Sequence, residues 1–324
     1  MTRLLDVTGL SVHFPGARRG WRRGAPVQAL NDVSLHVDAG EVLGVVGESG
    51  SGKTTLGRAI LGLTQPTGGT VHFDGESVIG ASATRMRAIR GRMQAVFQDP
   101  TSSLNPTMTI GAAIGEALAL HKVGTRADRA ERVAALLERV GLPASAAAKY
   151  PRALSGGQRQ RVGIARALAV GPELIVADEA VSALDVSVQA GIINLLSDLR
   201  AELGLALLFV SHDLALVRYF CDRVVVLYLG RVMEVGRVEE IFAQPRHPYT
   251  RALLDAVPQI DALPREATIL AGELPSPLAP PSGCVFRTRC PHAIAACAET
   301  VPPLEGPANG HRAACIRQHA LALS

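Results

Sequence analysis

Two glycine-rich stretches of this sequence carry residues suited to binding phosphate. The first, residues 47–55, reads GESGSGKTT and completes the pattern G-x-x-x-x-G-K-[ST]. Glycines let such a loop curl so that its N–H groups point at phosphate oxygens, while the lysine adds charge at the β and γ phosphates and the next hydroxyl binds magnesium. The predicted nucleotide-binding residues are Gly47, Glu48, Ser49, Gly50, Ser51, Gly52, Lys53, Thr54 and Thr55, with Thr54 also a magnesium ligand.

The residues around this stretch predict a strand, a loop and a helix. VLGVVG, residues 42–47, is a short apolar run of the kind that forms a buried parallel strand. Residues 53–63 follow with apolar side chains at helical spacing. This context favours a phosphate-binding loop over an ordinary loop rich in glycine and serine.

The rest of the chain predicts an α/β fold. Apolar runs typical of buried strands recur at residues 93–97, 174–178 and 205–211, with helical patterns such as RVAALLERV between them. Alternating strands and helices predict a core with a mainly parallel sheet. The segments VTGLSVHF, VSLHV and TVHFDGE instead alternate apolar and polar residues, which predicts an antiparallel β edge subdomain.

A domain boundary is predicted near residue 257, where the sequence becomes rich in proline and loses its periodicity. We therefore expect a nucleotide-binding domain over residues 1–256 and a small cysteine-bearing domain over residues 257–324.

One predicted strand ends in two acids. In LIVADE, residues 174–179, an apolar run precedes Asp178 and Glu179. At a nucleotide site Asp178 would bind magnesium through water, and Glu179 would polarise the attacking water. Acids also favour helix N-termini for electrostatic reasons, but the apolar run before this pair favours the nucleotide-site interpretation.

The motifs in their order resemble those of the ATP-binding cassette ATPases of ABC transporters. They are GESGSGKTT, Gln98 in VFQDP, LSGGQ at 154–158, LIVADE, SALD at 182–185 and His212 in VSHD. The resemblance implies an ABC ATPase fold, with a P-loop core and a helical signature subdomain at about residues 100–168. It also implies that two cassettes dimerise head to tail and bind each ATP between the P-loop of one and the signature of the other.

This arrangement accounts for the second glycine-rich stretch. Ser155, Gly156, Gly157 and Gln158 open a predicted helix whose N-terminal N–H groups can face a γ-phosphate. The resemblance further implies that Glu179 is the general base, that His212 contacts the γ-phosphate, and that Gln98 binds the metal and senses the water. Asp185 is implied to act on the opposite ATP site.

An aromatic side chain near the end of the first strand is implied to stack on adenine. Phe14 fits best, and Trp21 is the alternative. Either ring could instead cover the core.

Almost the whole chain resembles the ATPases of dipeptide, oligopeptide and nickel importers. The segments that carry this resemblance include VFQDPTSSLNPTMTIG, RHPYTRALL at 246–254 and the cysteine-bearing tail, while TTLGRAILGL favours the second cassette of such systems. The implied function is ATP-driven uptake of di- or oligopeptides, with another solute such as nickel as the alternative. The implied partners are a second ATPase subunit, identical or different, two membrane permeases and an extracytoplasmic substrate-binding protein, with no nucleic acid.

Four cysteines in the tail are candidate metal ligands. Cys284, Cys290, Cys297 and Cys315 follow the spacing C-x5-C-x6-C-x17-C, and Cys221 stands apart. This spacing matches neither a usual zinc ribbon nor the C-x2-C pattern of ferredoxins, so four unrelated buried thiols are an open alternative. Resemblance to the peptide-importer tail implies a [4Fe–4S] cluster with a structural role, with zinc as the alternative metal and His292 and His311 as spare ligands.

Composition narrows the class of protein. Of 324 residues 48% are hydrophobic and 19% charged, and the net charge of +4 does not by itself indicate nucleic-acid binding. With neither an apolar run of about 18 residues nor a signal peptide, we expect a cytosolic chain that reaches the cytoplasmic face of the plasma membrane through permeases. The arginine cluster ARRGWRRG at 17–24 favours a solvated loop over a lipid or partner contact.

Three rival functions remain. A nucleic-acid-linked ABC protein would show long heptads or tandem cassettes, and an ABC exporter would lack this tail. A redox-sensing module would depend on the cysteines alone.

Overall fold

The computed structural model describes residues 3–16, 18–19, 22–98, 104–256, 272–308 and 310–321. Trp21, residues 99–103 and the predicted boundary near residue 257 lie outside the described residues. Two units make up the chain: Met1–Leu4, Val37–Glu41 and Phe73–Val210 form the first, and Leu5–His36, Val42–His72 and Ser211–Ser324 form the second.

The elements follow the alternation expected from the sequence. The strands are β1 (Arg3–Phe14), β2 (Arg18–Arg19), β3 (Arg22–Arg23), β4 (Val27–Asp38), β5 (Val42–Val46), β6 (Gly68–Phe73), β7 (Glu76–Ser77), β8 (Met93–Val96), β9 (Leu174–Asp178), β10 (Ala206–Val210), β11 (Arg223–Tyr228), β12 (Arg231–Arg237) and β13 (Arg312–Ala313). The helices are α1 (Lys53–Ile60), α2 (Ala83–Arg92), α3 (Ile110–Leu120), α4 (Arg129–Arg139), α5 (Gly156–Leu168), α6 (Val186–Leu203), α7 (Leu214–Phe220), α8 (Val238–Ala243), α9 (Pro248–Asp255) and α10 (Ala296–Glu299), and short 3-10 turns span Ala144–Ala148 and Pro151–Ala153.

The first unit is built on three parallel strands. Strand β9 pairs with β8 on one side and β10 on the other, so that Leu174 lies opposite both Met93 and Ala206. Every residue of β9 and β10 is buried, as expected for parallel strands that are covered on both faces. The predicted strands at 93–97, 174–178 and 205–211 are therefore confirmed.

A helical layer in the first unit contains the predicted signature segment. Helices α3, α4 and α5 contact one another. Helix α4 buries Val133 and Leu137, and Val140 just after it is also buried. This is the apolar face that the helical spacing predicts.

The second unit combines two sheets. Strand β5 runs parallel to β11, and β11 pairs antiparallel with β12. Strands β4, β1 and β6 lie side by side in a separate sheet. The predicted edge strands are therefore present, and their antiparallel direction stays a prediction.

The C-terminal tail extends one of these sheets. Strand β13 pairs antiparallel with β12, with Ala313 opposite Glu234. Glu234 is fully buried; its carboxylate accepts hydrogen bonds from the backbone N–H groups of Arg246 at 2.7 Å and His247 at 3.0 Å and contacts His311 Nε2 at 2.5 Å. Burial lowers the pKa of His247 to about 4 despite the neighbouring carboxylate. Glu234 therefore joins three parts of the second unit through one buried acid.

We predict that Glu234→Ala lowers the free energy of unfolding by about 3 kcal/mol, because it leaves two buried N–H groups and His311 without their acceptor. Urea denaturation followed by circular dichroism measures the change. Glu239→Ala is the matched control, since that carboxylate is exposed and its loss should change the stability by less than about 0.5 kcal/mol. Equal stability of the two variants would contradict a structural role for Glu234.

Candidate nucleotide-binding site

The phosphate-binding loop follows strand β5 as predicted. Gly47 has φ 153°, and a Cβ at this position would lie 2.2 Å from the carbonyl oxygen of Leu227. Since real Cβ atoms do not approach an oxygen so closely, only glycine fits here. Gly52 has φ 105° and caps helix α1, which begins at Lys53.

Lys53 and Ser51 give this loop its polar interior. Lys53 is 4% exposed, and its Nζ donates to the carbonyl oxygens of Gly47 at 2.8 Å and Glu48 at 3.0 Å. Ser51 Oγ is buried without a hydrogen-bond partner among the described residues. A buried hydroxyl and ammonium at the start of a helix fit the phosphates of a nucleotide.

Residues that are distant in sequence form hydrogen bonds with the backbone of this loop. The N–H of Gly230 donates to the carbonyl oxygen of Ser51 at 2.9 Å, and the N–H of Glu48 donates to Tyr249 Oη at 2.9 Å. Burial raises the pKa of Tyr249, so its phenol stays protonated at neutral pH. In the sequence RHPYTRALL carries only a family resemblance, whereas in the structure its tyrosine contacts the P-loop.

The two predicted acids lie at the end of strand β9 in the first unit. Asp178 is 7% exposed. Glu179 has a φ of 48°, in the left-handed region, and its N–H donates to Val210 O at 3.0 Å. The carbonyl of Glu179 accepts hydrogen bonds from both the N–H and the hydroxyl of Ser182. A left-handed glutamate is uncommon, so this turn fixes the backbone at the residue predicted to be the general base.

The signature stretch begins helix α5 with a capping box. The N–H of Gln158 donates to Ser155 Oγ at 3.3 Å, and the N–H of Ser155 donates to Gln158 Oε1 at 3.1 Å. The pattern S-x-x-Q is a sequence signal for this motif, so LSGGQ indicates a helix cap as well as a phosphate contact. Two of the first N–H groups of the helix are thus satisfied within the chain.

Four further predicted residues lie at exposed positions. Gln98 follows strand β8, His212 lies between β10 and α7, and Asp185 directly precedes α6. Phe14 ends strand β1 and is 41% exposed. Their roles stay predictions.

The four tail cysteines line one small cavity together with His247 and His292. The N–H of Cys284 donates to Cys297 O at 2.8 Å, and burial raises the pKa of the Cys284 thiol to about 11. Cys221 lies elsewhere, beside Gly44. Of the two spare ligands, His292 lines the cavity, whereas His311 Nε2 is paired with Glu234.

Within the described parts of the chain, no three His, Cys, Asp or Glu side chains are close enough to bind one metal ion. The expected [4Fe–4S] cluster and its zinc alternative therefore have no support from metal-site geometry. The structure does bring the four predicted residues to a common cavity.

A P-loop, an acidic strand end and a capped signature helix define an ATP-binding cassette. Residues 30–182 match the family model for ABC transporters, and residues 233–297 match that for the C-terminal region of oligopeptide and dipeptide transporters. The chain belongs to the ABC transporter family, as one of its ATPases.

Relatives match along nearly their whole length. A peptide import ATP-binding protein of Brucella ovis is 55% identical over 98% of this chain and 99% of the relative. The oligopeptide transport ATP-binding protein OppF of Escherichia coli is 49% identical over 97% of this chain and 96% of OppF. Among solved structures, the ATP-binding cassette MJ0796, in a dimeric post-hydrolysis state with ADP and Pi, is 30% identical with a TM-score of 0.63, over 72% of this chain and 98% of that chain. None of the helices in the described residues has the length and apolar character of a membrane span.

We predict that Gly47→Ala weakens MgATP binding more than tenfold, because the added methyl group forces the loop away from Leu227. Isothermal titration calorimetry measures the affinity. Gly163→Ala is the control within helix α5, where, apart from its chain neighbours and the backbone of its own helix, no described atom lies within 4 Å of the added Cβ. It should leave the affinity unchanged and raise stability by about 0.5–1 kcal/mol. Wild-type affinity in Gly47→Ala would show that the loop accepts a side chain.

Proposed function

We propose that this chain hydrolyses ATP to power the uptake of oligopeptides across the cytoplasmic membrane. The observation that carries the proposal is likeness over almost the full chain to peptide import ATP-binding proteins, including the oligopeptide-transporter C-terminal region. The closed P-loop with buried Lys53 and Ser51 supports the ATP-binding half of the proposal. Residues 1–256 would form the nucleotide-binding domain and residues 257–324 the C-terminal domain.

Hydrolysis assigns a role to each predicted group. The P-loop N–H groups and Lys53 bind the phosphates, and Phe14 stacks on adenine. Thr54, Asp178 and Gln98 would bind Mg²⁺, which neutralises charge on the β and γ phosphates when it is bound. Glu179 accepts a proton from the water that attacks the γ-phosphorus, and the bond from that phosphorus to the bridging oxygen breaks to release ADP and phosphate. His212 contacts the γ-phosphate.

A second cassette completes each ATP site. The signature residues Ser155, Gly156, Gly157 and Gln158 would face the ATP bound by the partner's P-loop, and Asp185 would act on that opposite site. The dimeric state of the MJ0796 cassette supports this arrangement. The further partners are two permease subunits and an extracytoplasmic binding protein, which would place this chain at the cytoplasmic face of the membrane.

We propose that the four tail cysteines bind a [4Fe–4S] cluster, with zinc as the alternative metal. Their convergence on one cavity supports a shared centre. The match of residues 233–297 to the C-terminal region of oligopeptide and dipeptide transporters supports the resemblance from which the cluster is inferred.

We predict that Glu179→Gln lowers the ATPase rate of the assembled transporter by about 10²–10³-fold while MgATP binding is retained, because the amide cannot accept the proton of the attacking water. Phosphate release and nucleotide titration measure the two quantities. Glu202→Gln is the control, since that exposed carboxylate pairs with Arg139 at the surface.

Peptide uptake by cells tests the substrate class with the same variant. A peptide-dependent auxotroph that lacks the gene should grow when it receives the wild-type chain or Glu202→Gln, and should fail to grow with Glu179→Gln. Hydrolysis at the wild-type rate in Glu179→Gln would overturn the assignment of the base. If cells without a functional copy of the gene still grew on peptides but no longer accumulated nickel, the transported solute would be nickel and not peptides.

We predict that the anaerobically purified chain contains about four irons and four sulfides, as a [4Fe–4S] cluster requires, and that Cys290→Ser removes them. Metal analysis and visible absorption measure the content. Cys221→Ser is the matched control because its thiol lies away from the cavity. One zinc per chain would replace the cluster by a mononuclear site, and a metal-free stable chain would reject both.

A further inference from the structure

The described part of the C-terminal tail contacts the phosphate-binding loop. The Arg289 guanidinium makes two parallel bonds to the Glu48 carboxylate, with Nη1 2.6 Å from Oε2 and Nη2 3.1 Å from Oε1. Leu274 approaches Gly50, since a Cβ built on that glycine would lie 3.5 Å from Leu274 Cδ2. These two contacts join residues that are far apart in sequence but within the second unit.

The pair of Arg289 and Glu48 is largely shielded from water. The Arg289 side chain is 6% exposed and that of Glu48 is 29% exposed. The guanidinium also lies over the ring of Tyr228, 5.9 Å from its centroid. A bidentate pair in such surroundings is stronger and more directional than an exposed ion pair, because neither solvent nor salt screens it fully.

Glu48 is thus attached at both its backbone and its side chain. Its N–H donates to Tyr249 Oη at 2.9 Å, while its carboxylate binds Arg289. The supporting groups are themselves packed together, since the Tyr228 and Tyr249 rings are 4.7 Å apart and Phe286 lies 5.3 Å from each. Because Glu48 immediately follows Gly47, its anchoring restrains the first turn of the P-loop.

We propose that Arg289 is a positioning residue for ATP: through Glu48 it holds the P-loop in the conformation that receives the phosphates. A loop that is ordered before binding loses less conformational entropy when the nucleotide arrives, so the contact strengthens ATP binding without touching ATP. The inference deepens the proposed ATPase function and rests on it. It assigns the tail a part in nucleotide affinity in addition to any role of its cysteines.

The test compares the KM for ATP with kcat in the full-length protein. Arg289→Ala should raise the KM, and the Kd for MgATP, about tenfold, with kcat at saturating ATP within about twofold of the wild type. Arg289→Lys should recover part of the affinity, since an ammonium keeps the charge but not the paired geometry. Arg287→Ala is the matched control, because within the described residues its guanidinium bonds to Ser282 of the tail and not to the P-loop, and it should leave both constants unchanged.

A double-mutant cycle with Glu48→Gln separates positioning from general destabilisation. If Arg289 acts through Glu48, Arg289→Ala has little further effect on the Kd in the Glu48→Gln background. The proposal would be overturned if Arg289→Ala weakened MgATP binding equally in the wild-type and Glu48→Gln backgrounds. An unchanged Kd in Arg289→Ala alone would overturn it as well. Arg289→Met, which keeps the packing of the side-chain stem, takes the place of the alanine variant should the latter fail to fold.

The wild-type protein separates this proposal from the proposed function. A wild type that neither binds nor hydrolyses ATP would reject the ATPase function itself. A wild type with normal ATPase activity, combined with an unaltered KM in all Arg289 variants, would reject only the positioning role.

Discussion

The tight turn of the phosphate-binding loop, residues 47–55, is the constraint that determines how the segments of the second unit pack around it. When a loop points N–H groups at a bound phosphate, its other backbone N–H and C=O groups must form hydrogen bonds with other segments, because buried peptide groups need partners. Gly47 lies so close to the carbonyl of Leu227 that only hydrogen fits between them, and Gly230 and Tyr249 bond to the loop from behind. Strands β5 and β11 therefore support the loop as well as forming the sheet.

Buried polar groups form hydrogen bonds at two places where segments distant in sequence meet. Glu234 joins the tail, strand β12 and the start of helix α9 by accepting hydrogen bonds that water cannot supply. Arg289 and Glu48 form a similar junction at the P-loop. Such groups are costly to bury unless every partner is present, so they fix one arrangement of the segments that meet there.

The local features of this protein were predictable from the sequence, and the long-range ones were not. Apolar runs mark strands β5, β9 and β10 because a parallel sheet buries both faces of each strand, and the P-loop pattern indicates its own turn. The capping box at Ser155 was also readable from the S-x-x-Q spacing. In contrast, Tyr249 and Arg289 reach the P-loop only through the folded chain, so no local pattern indicated them.

The contact between Arg289 and Glu48 spans 241 positions of sequence. During synthesis, at about 5–20 residues per second, the P-loop therefore waits roughly 10 to 50 s for its last support. Another anchor, Tyr249, arrives earlier but also after the whole of the first unit. Only a chain translated past Arg289 can form every contact described for this loop, and a chain that stops before that residue lacks the pair with Glu48.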